Sequence, residues 1–138
     1  DDCDNANGDY TNTVFVVGAD RISTDLHNLL VDTNATSKQP LKLDYELNDA
    51  NDPESIYTRS DHYSYASKGI PIAFFTTGLH KDYHQVSDEV GKILFPKMAR
   101  IAQLVYETGF SIANTDRVLE RDNKGPRSGK GCEGRTEK

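Results

Sequence analysis

The side chains able to do acid–base or metal chemistry near neutral pH are few and unevenly placed. There are four histidines: His27, His62, His80 and His84. Imidazole titrates close to neutrality and is the commonest metal ligand. His27 falls between apolar positions of a helical repeat, where a packed or solvated histidine is the ordinary outcome. The other three sit in polar segments flanking the apolar run Ile70–Phe75. The densest stretch is His80-Lys81-Asp82-Tyr83-His84-Gln85-Val86-Ser87-Asp88. A ligating imidazole usually gives its second N–H to a carboxylate or carbonyl, and Asp88 stands four residues past His84 for that purpose. The spacing admits a metal or catalytic role for His84; a polar surface loop would read the same way. No GxSxG elbow, phosphate-cradling GxxxxGK[ST], HExxH or CxxC occurs. Cys3 and Cys132 cannot build a metal cage by themselves, and whether they pair is open. Asn34-Ala35-Thr36 is a glycosylation sequon, a triplet common by chance.

The elements that would position these groups follow from apolar periodicity. Val14–Val17 is a continuous apolar, β-branched run closed by Gly18, the pattern of a buried strand. Ile22, Leu26, Leu29 and Leu30 share one face of a 3.6-residue repeat, with Ser23 or Thr24 as N-cap. Leu41, Leu43, Tyr45 and Leu47 alternate with polar residues, predicting a strand with one wet face. Residues 61–68 read as a short helix ended by Gly69. Ile70–Phe75 reads as a central strand with Pro71 at its start. A last helix begins near Pro96 and turns Leu94, Met98, Ile101, Ala102 and Val105 inward. Strands alternating with helices predict an α/β fold with a sheet covered on both faces.

Length and composition bound the rest. The 138 residues suit one domain, and only 36% are hydrophobic, so the core is thin for the length. Residues 1–54 hold 12 acids against 3 bases, and residues 121–138 hold 6 bases against 3 acids. An acidic front argues against a nucleic-acid groove. No apolar run is long enough to span a membrane. The organisation expected is an acidic loop over 1–12, an α/β unit over 13–113 and a Gly-rich basic tail over 114–138, read as disordered. The first residue is Asp1 rather than Met, which suggests a piece of something longer.

Two strings together resemble the C-terminal half of the co-catalytic zinc aminopeptidase family, whose relatives include glutamate carboxypeptidase and glutaminyl cyclase. Arg59-Ser60-Asp61-His62-Tyr63-Ser64-Tyr65-Ala66-Ser67-Lys68-Gly69-Ile70-Pro71 is similar to the family's serine-aspartate-histidine turn leading into a buried strand. Gly78–Asp88 is similar to its tyrosine-histidine segment with an aspartate four residues on. The resemblance implies a three-layer α/β/α domain over a mixed, mostly parallel sheet. It implies two zinc ions bridged by an aspartate and a water, and a peptide as substrate. By position, His84 resembles the last zinc ligand, Tyr83 a substrate-bordering residue, and Asp88 the carboxylate behind the histidine. Asp61 and His62 resemble groups that shape the site from behind. The family's other ligands and its general-base glutamate belong to upstream motifs that do not occur here; the acidic but Asn-rich Asp1, Asp2 and Asp4 do not match them. A catalytic zinc wants at least three protein ligands, so the chain by itself offers too few.

Three functions are open at this point. The first is the C-terminal part of a zinc exopeptidase, in an extracytoplasmic (secreted or periplasmic) setting. The second is a non-catalytic interaction module keeping the half-fold, covered by a complementary chain or by self-association. The third is an unrelated hydrolase using His84, Asp88 and Ser60 or Ser64.

Overall fold

Five consecutive buried side chains, Thr13–Val17, make the strand β1 on which everything else is assembled. The computed structural model describes residues 11–126. After β1 come helix α1 (Thr24–Thr36), strand β2 (Lys42–Asp44), helix α2 (His62–Ala66), strand β3 (Phe74–Thr76) and helix α3 (Phe95–Ala113), with short 3-10 turns at Glu46–Asn48, Ile56–Thr58 and Val90–Lys92. The sheet order is β2-β1-β3. β2 runs parallel to β1, pairing Thr13 with Lys42 and Phe15 with Asp44. β3 runs antiparallel, pairing Phe15 with Thr76 and Val17 with Phe74. The result is a small mixed sheet in an α/β unit, the class expected.

Val14 and Val16 point to one side of β1, where Leu30 of α1, Leu104 and Ile101 of α3, and Leu41 close the core. Burying each such aliphatic side chain contributes about 1.5–3 kcal/mol. α1 is entered through Ser23, whose Oγ accepts from the Leu26 N–H at 3.3 Å. It is tied to β2 by Asn34, whose amide exchanges two hydrogen bonds with the backbone of Leu41, at 2.7 and 2.9 Å.

Three expectations change. Ile70–Phe75 is not the central strand: β1 is, and β3 lies at the other end of the strand order. Pro71 has no N–H to give a ladder, and residues 70–73 make no strand pairing. The alternating run Leu41–Leu47 stops pairing at Asp44, because Asp44 Oδ1 takes the Glu46 N–H at 2.9 Å and turns the chain into the Glu46–Asn48 3-10 turn. In α3 the inward stripe is Lys97, Ile101, Leu104 and Thr108, rotated from the one expected. Met98 stays 57% exposed, Leu94 47% and Val105 43%. The helix is apolar on more sides than this unit can cover.

Part of the stretch read as a tail lies among the described residues. Residues 115–125 form a strap over the start of α1. Asn123 N–H reaches Ile22 O at 3.0 Å, Thr24 N–H reaches Asp122 Oδ1 at 3.1 Å, and Glu120 N–H reaches Asp25 Oδ2 at 2.9 Å. Residues 1–10 and 127–138, with Cys3, Cys132 and the acidic cluster at Asp1, Asp2 and Asp4, lie outside the described residues. Among the described residues no helix is long and apolar enough to cross a membrane.

Candidate functional site

Gly78, at φ +91, starts the loop that leaves β3. Three reverse turns follow, closed by Tyr83 N–H to His80 O, Gln85 N–H to Asp82 O and Asp88 N–H to Gln85 O, at 2.9, 2.9 and 3.1 Å. The middle turn, Asp82–Gln85, places His84 at φ +58. A positive φ at the third residue is the mark of a type II turn, where glycine or asparagine is the usual occupant. The His84 ring lies stacked on Tyr83, centroids 4.0 Å apart and planes 17° apart, and His80 meets Tyr83 edge-on at 6.3 Å. His80, Tyr83 and His84 are therefore one continuous aromatic group.

Asp82, not singled out from sequence, anchors this loop. Its Oδ1 accepts from Ser87 Oγ at 2.6 Å and pairs with Lys92 Nζ at 2.9 Å. The Ser87 hydroxyl, then the Lys92 ammonium, hold the Asp82 carboxyl below its ordinary range. Asp88 does not hydrogen-bond His84 among the described residues; it lines a groove of about 980 Å³ with Leu79, Ile93, Leu94 and Met98, Lys97 also contributing.

Asp61 and His62 are elsewhere. Asp61 precedes α2 without capping it by its side chain. His62 Nε2 donates to Tyr57 O at 2.8 Å, and its ring stacks on Phe74 at 4.4 Å. Its Nδ1 is buried with no hydrogen-bond partner among the described residues. Tyr57 is covered in turn by the Arg21 guanidinium, 4.0 Å from its ring centroid. Arg21 also donates to the backbone oxygens of Asn48 and Asp49, while Asn48 bonds Gly18 N–H and Asp20. Burial lowers the Arg21 pKa despite the nearby Tyr57 and aspartates, and raises that of Tyr57.

The strand directions explain this separation. β3 is antiparallel to β1, so Phe74 and its His62 lie beside Val17, at the carboxyl end of β1. The His84 loop leaves past Thr76, which pairs with Phe15 nearer the start of β1. His62 thus packs at the start of β3, beside the carboxyl end of β1, whereas the His84 loop leaves the carboxyl end of β3. Ligands of open α/β sheets bind outside the carboxyl ends of strands, and the carboxyl ends of β1 and β3 face opposite ways. Among the described residues no three His, Cys, Asp or Glu side chains come close enough to hold a metal ion. The described residues do not by themselves fit a zinc site.

Residues 3–109 match the family model for peptidase family M28. The chain belongs to that family. The match spans both the His62 and the His84 segments, and it supports a peptidase-type activity at the level of the family. No curated protein matches the chain, and no solved structure does. M28 peptidases are metallopeptidases in general. His27 is buried on α1, with its ring 5.3 Å from Tyr45.

Proposed function

We propose that this chain is the C-terminal part of a zinc-dependent, aminopeptidase-type exopeptidase domain, allied to the glutamate carboxypeptidase and glutaminyl cyclase branches. In this reading it contributes His84 as one zinc ligand of a set completed by other segments, with two ions in the whole site. Tyr83 borders the peptide substrate. Asp88 stands behind the histidine once the site is assembled, and Asp61 and His62 shape the floor. The observation that carries the reading is His84 itself. A histidine occupies a turn position that favours glycine, with its imidazole stacked on a tyrosine, inside a segment matched by the M28 model. Backbone of that kind clusters at functional sites. Zinc held by the completed ligand set would polarise the scissile carbonyl and acidify a bound water. The general base is not assigned to any residue of this chain, so no step is written for it.

The test is a zinc titration of the chain followed at the His84 ring by NMR, beside an assay on aminoacyl anilides with and without chelator. A zinc response at His84 that is lost in His84→Ala, without turnover by the chain alone, is the expected result. Tight binding of two zinc ions per chain with chelator-sensitive turnover would show a complete site and overturn the partial reading. No response at His84 would remove its ligand role.

A second reading has its own observation. The uncovered apolar side of α3 and the groove beside it suit a complementary chain or self-association. On this reading the chain is a non-catalytic interaction module. An extracytoplasmic setting is part of the first proposal only, and the sequon lends it no support, because Asn34 is buried and fully engaged by Leu41.

A further inference from the structure

The loop carrying His84 contains a clasp that the function above does not use. The Ser87 hydroxyl reaches back across the turn to Asp82 Oδ1 at 2.6 Å, closing residues 82–87 into a ring of chain around His84. Lys92, in the Val90–Lys92 3-10 turn, bonds the same oxygen at 2.9 Å and fastens that ring to the segment entering α3. The Asp82 side chain is only 14% exposed. Inside the ring, His84 keeps a φ of +58 that an L side chain adopts at a cost. An unsupported loop would relax it, so contacts elsewhere in the loop must hold it. The stacked Tyr83 ring alone does not fix the backbone, and Asp88 makes no bond to His84.

We propose that Asp82 is the positioning residue of this site: its carboxylate, held by Ser87 Oγ and Lys92 Nζ, keeps the Asp82–Gln85 turn closed and so fixes the His84 imidazole against Tyr83. This rests on reading His84 as a site group, but the conformational claim is measurable without metal. Asp82 acts through the backbone and touches no substrate.

The experiment compares wild type with Asp82→Ala, Ser87→Ala and Ser87→Thr in the full chain. It reads the His84 ring resonances, which the stacked Tyr83 displaces, and amide exchange at Gln85 against exchange at Val14 and Val16. Losing a charge-assisted hydrogen bond should speed exchange at Gln85 about tenfold. It should also move the His84 signals toward those of a free histidine, with the β1 amides unchanged. Ser87→Thr, which keeps the hydroxyl, should restore the wild-type spectrum. His84 signals unaltered by both alanine variants would overturn the proposal. So would equal loss of protection in β1, which would make Asp82 a general stabiliser. Zinc chloride added to wild type tests the site reading separately: a His84 ring indifferent to zinc removes the ligand assignment, while the clasp stands or falls on the metal-free spectra.

Discussion

Gly18 shows how tightly single residues are constrained at the end of β1. Its φ is +86, and a Cβ there would lie 2.4 Å from Ile72 Cδ1 and 2.8 Å from Tyr57 Cε2. Gly18→Ala should cost about 2–4 kcal/mol, combining the left-handed penalty with overpacking. The urea midpoint should fall with the slope unchanged. Asn34 is the second case. Removing its amide leaves the buried N–H and C=O of Leu41 unpaired, so Asn34→Ala should lose about 2–4 kcal/mol. The same engagement predicts that chain secreted from a glycosylating host carries no glycan at Asn34 in its folded form, which intact-mass analysis checks.

At the scale of elements, α3 and the strap carry the expectations. Leu104 is 4% exposed and Met98 57%. Leu104→Ala should cost about 2–5 kcal/mol, whereas Met98→Ala should change stability by less than about 0.5 kcal/mol. The rotation of the helix is thereby measured from two sides. The strap caps α1 from afar: Asp122 takes the Thr24 N–H, an orphan donor of the first turn, and its pKa falls from 3.8 to about 2, the hydrogen bonds from Thr24 outweighing burial. A carboxyl with a lowered folded pKa stabilises the fold fully above its unfolded pKa near 4. That contribution is lost as pH drops toward 2. Thermal melts of wild type should weaken over that window relative to Asp122→Asn, and parallel curves for the two proteins would contradict the capping role.

For the whole molecule, the consequence is an incompletely covered surface. Phe95, Met98, Val105, Tyr106 and Phe110 are exposed on α3 and Leu94 just before it, and the outer sides of β2 and β3 have no neighbouring strand among the described residues. Open strand edges and contiguous apolar patches favour association. Sedimentation should show concentration-dependent association that Met98→Asp combined with Val105→Asp suppresses; a strict monomer at all concentrations would count against the interaction reading. M28 membership and an uncovered face are compatible facts, since the first describes ancestry and chemistry and the second describes what this chain alone can bury.

The amino-acid sequence by itself determined the α/β class, the buried strand Val14–Val17, the helix entered at Ser23 or Thr24, the Gly69 helix stop and the kinship carried by the His62 and His84 segments. Each of these is written in local periodicity, in capping chemistry or in short strings of residue types. Gly69, for example, ends α2 at φ +73 with its N–H on Ala66 O and the Ile70 N–H on Tyr65 O, as local turn chemistry requires. What only the tertiary structure decided is relational. The antiparallel direction of β3, which parts His62 from His84, depends on pairing with a strand nearly sixty residues earlier. The stripe of α3 that turns inward depends on where α1 and β1 already stand. The partner of Asp82 is a serine five residues on and a lysine in the next turn, chosen by loop geometry rather than by period. Periodicity names the faces a segment has; only packing against the rest of the chain selects which face is buried and which side chains meet.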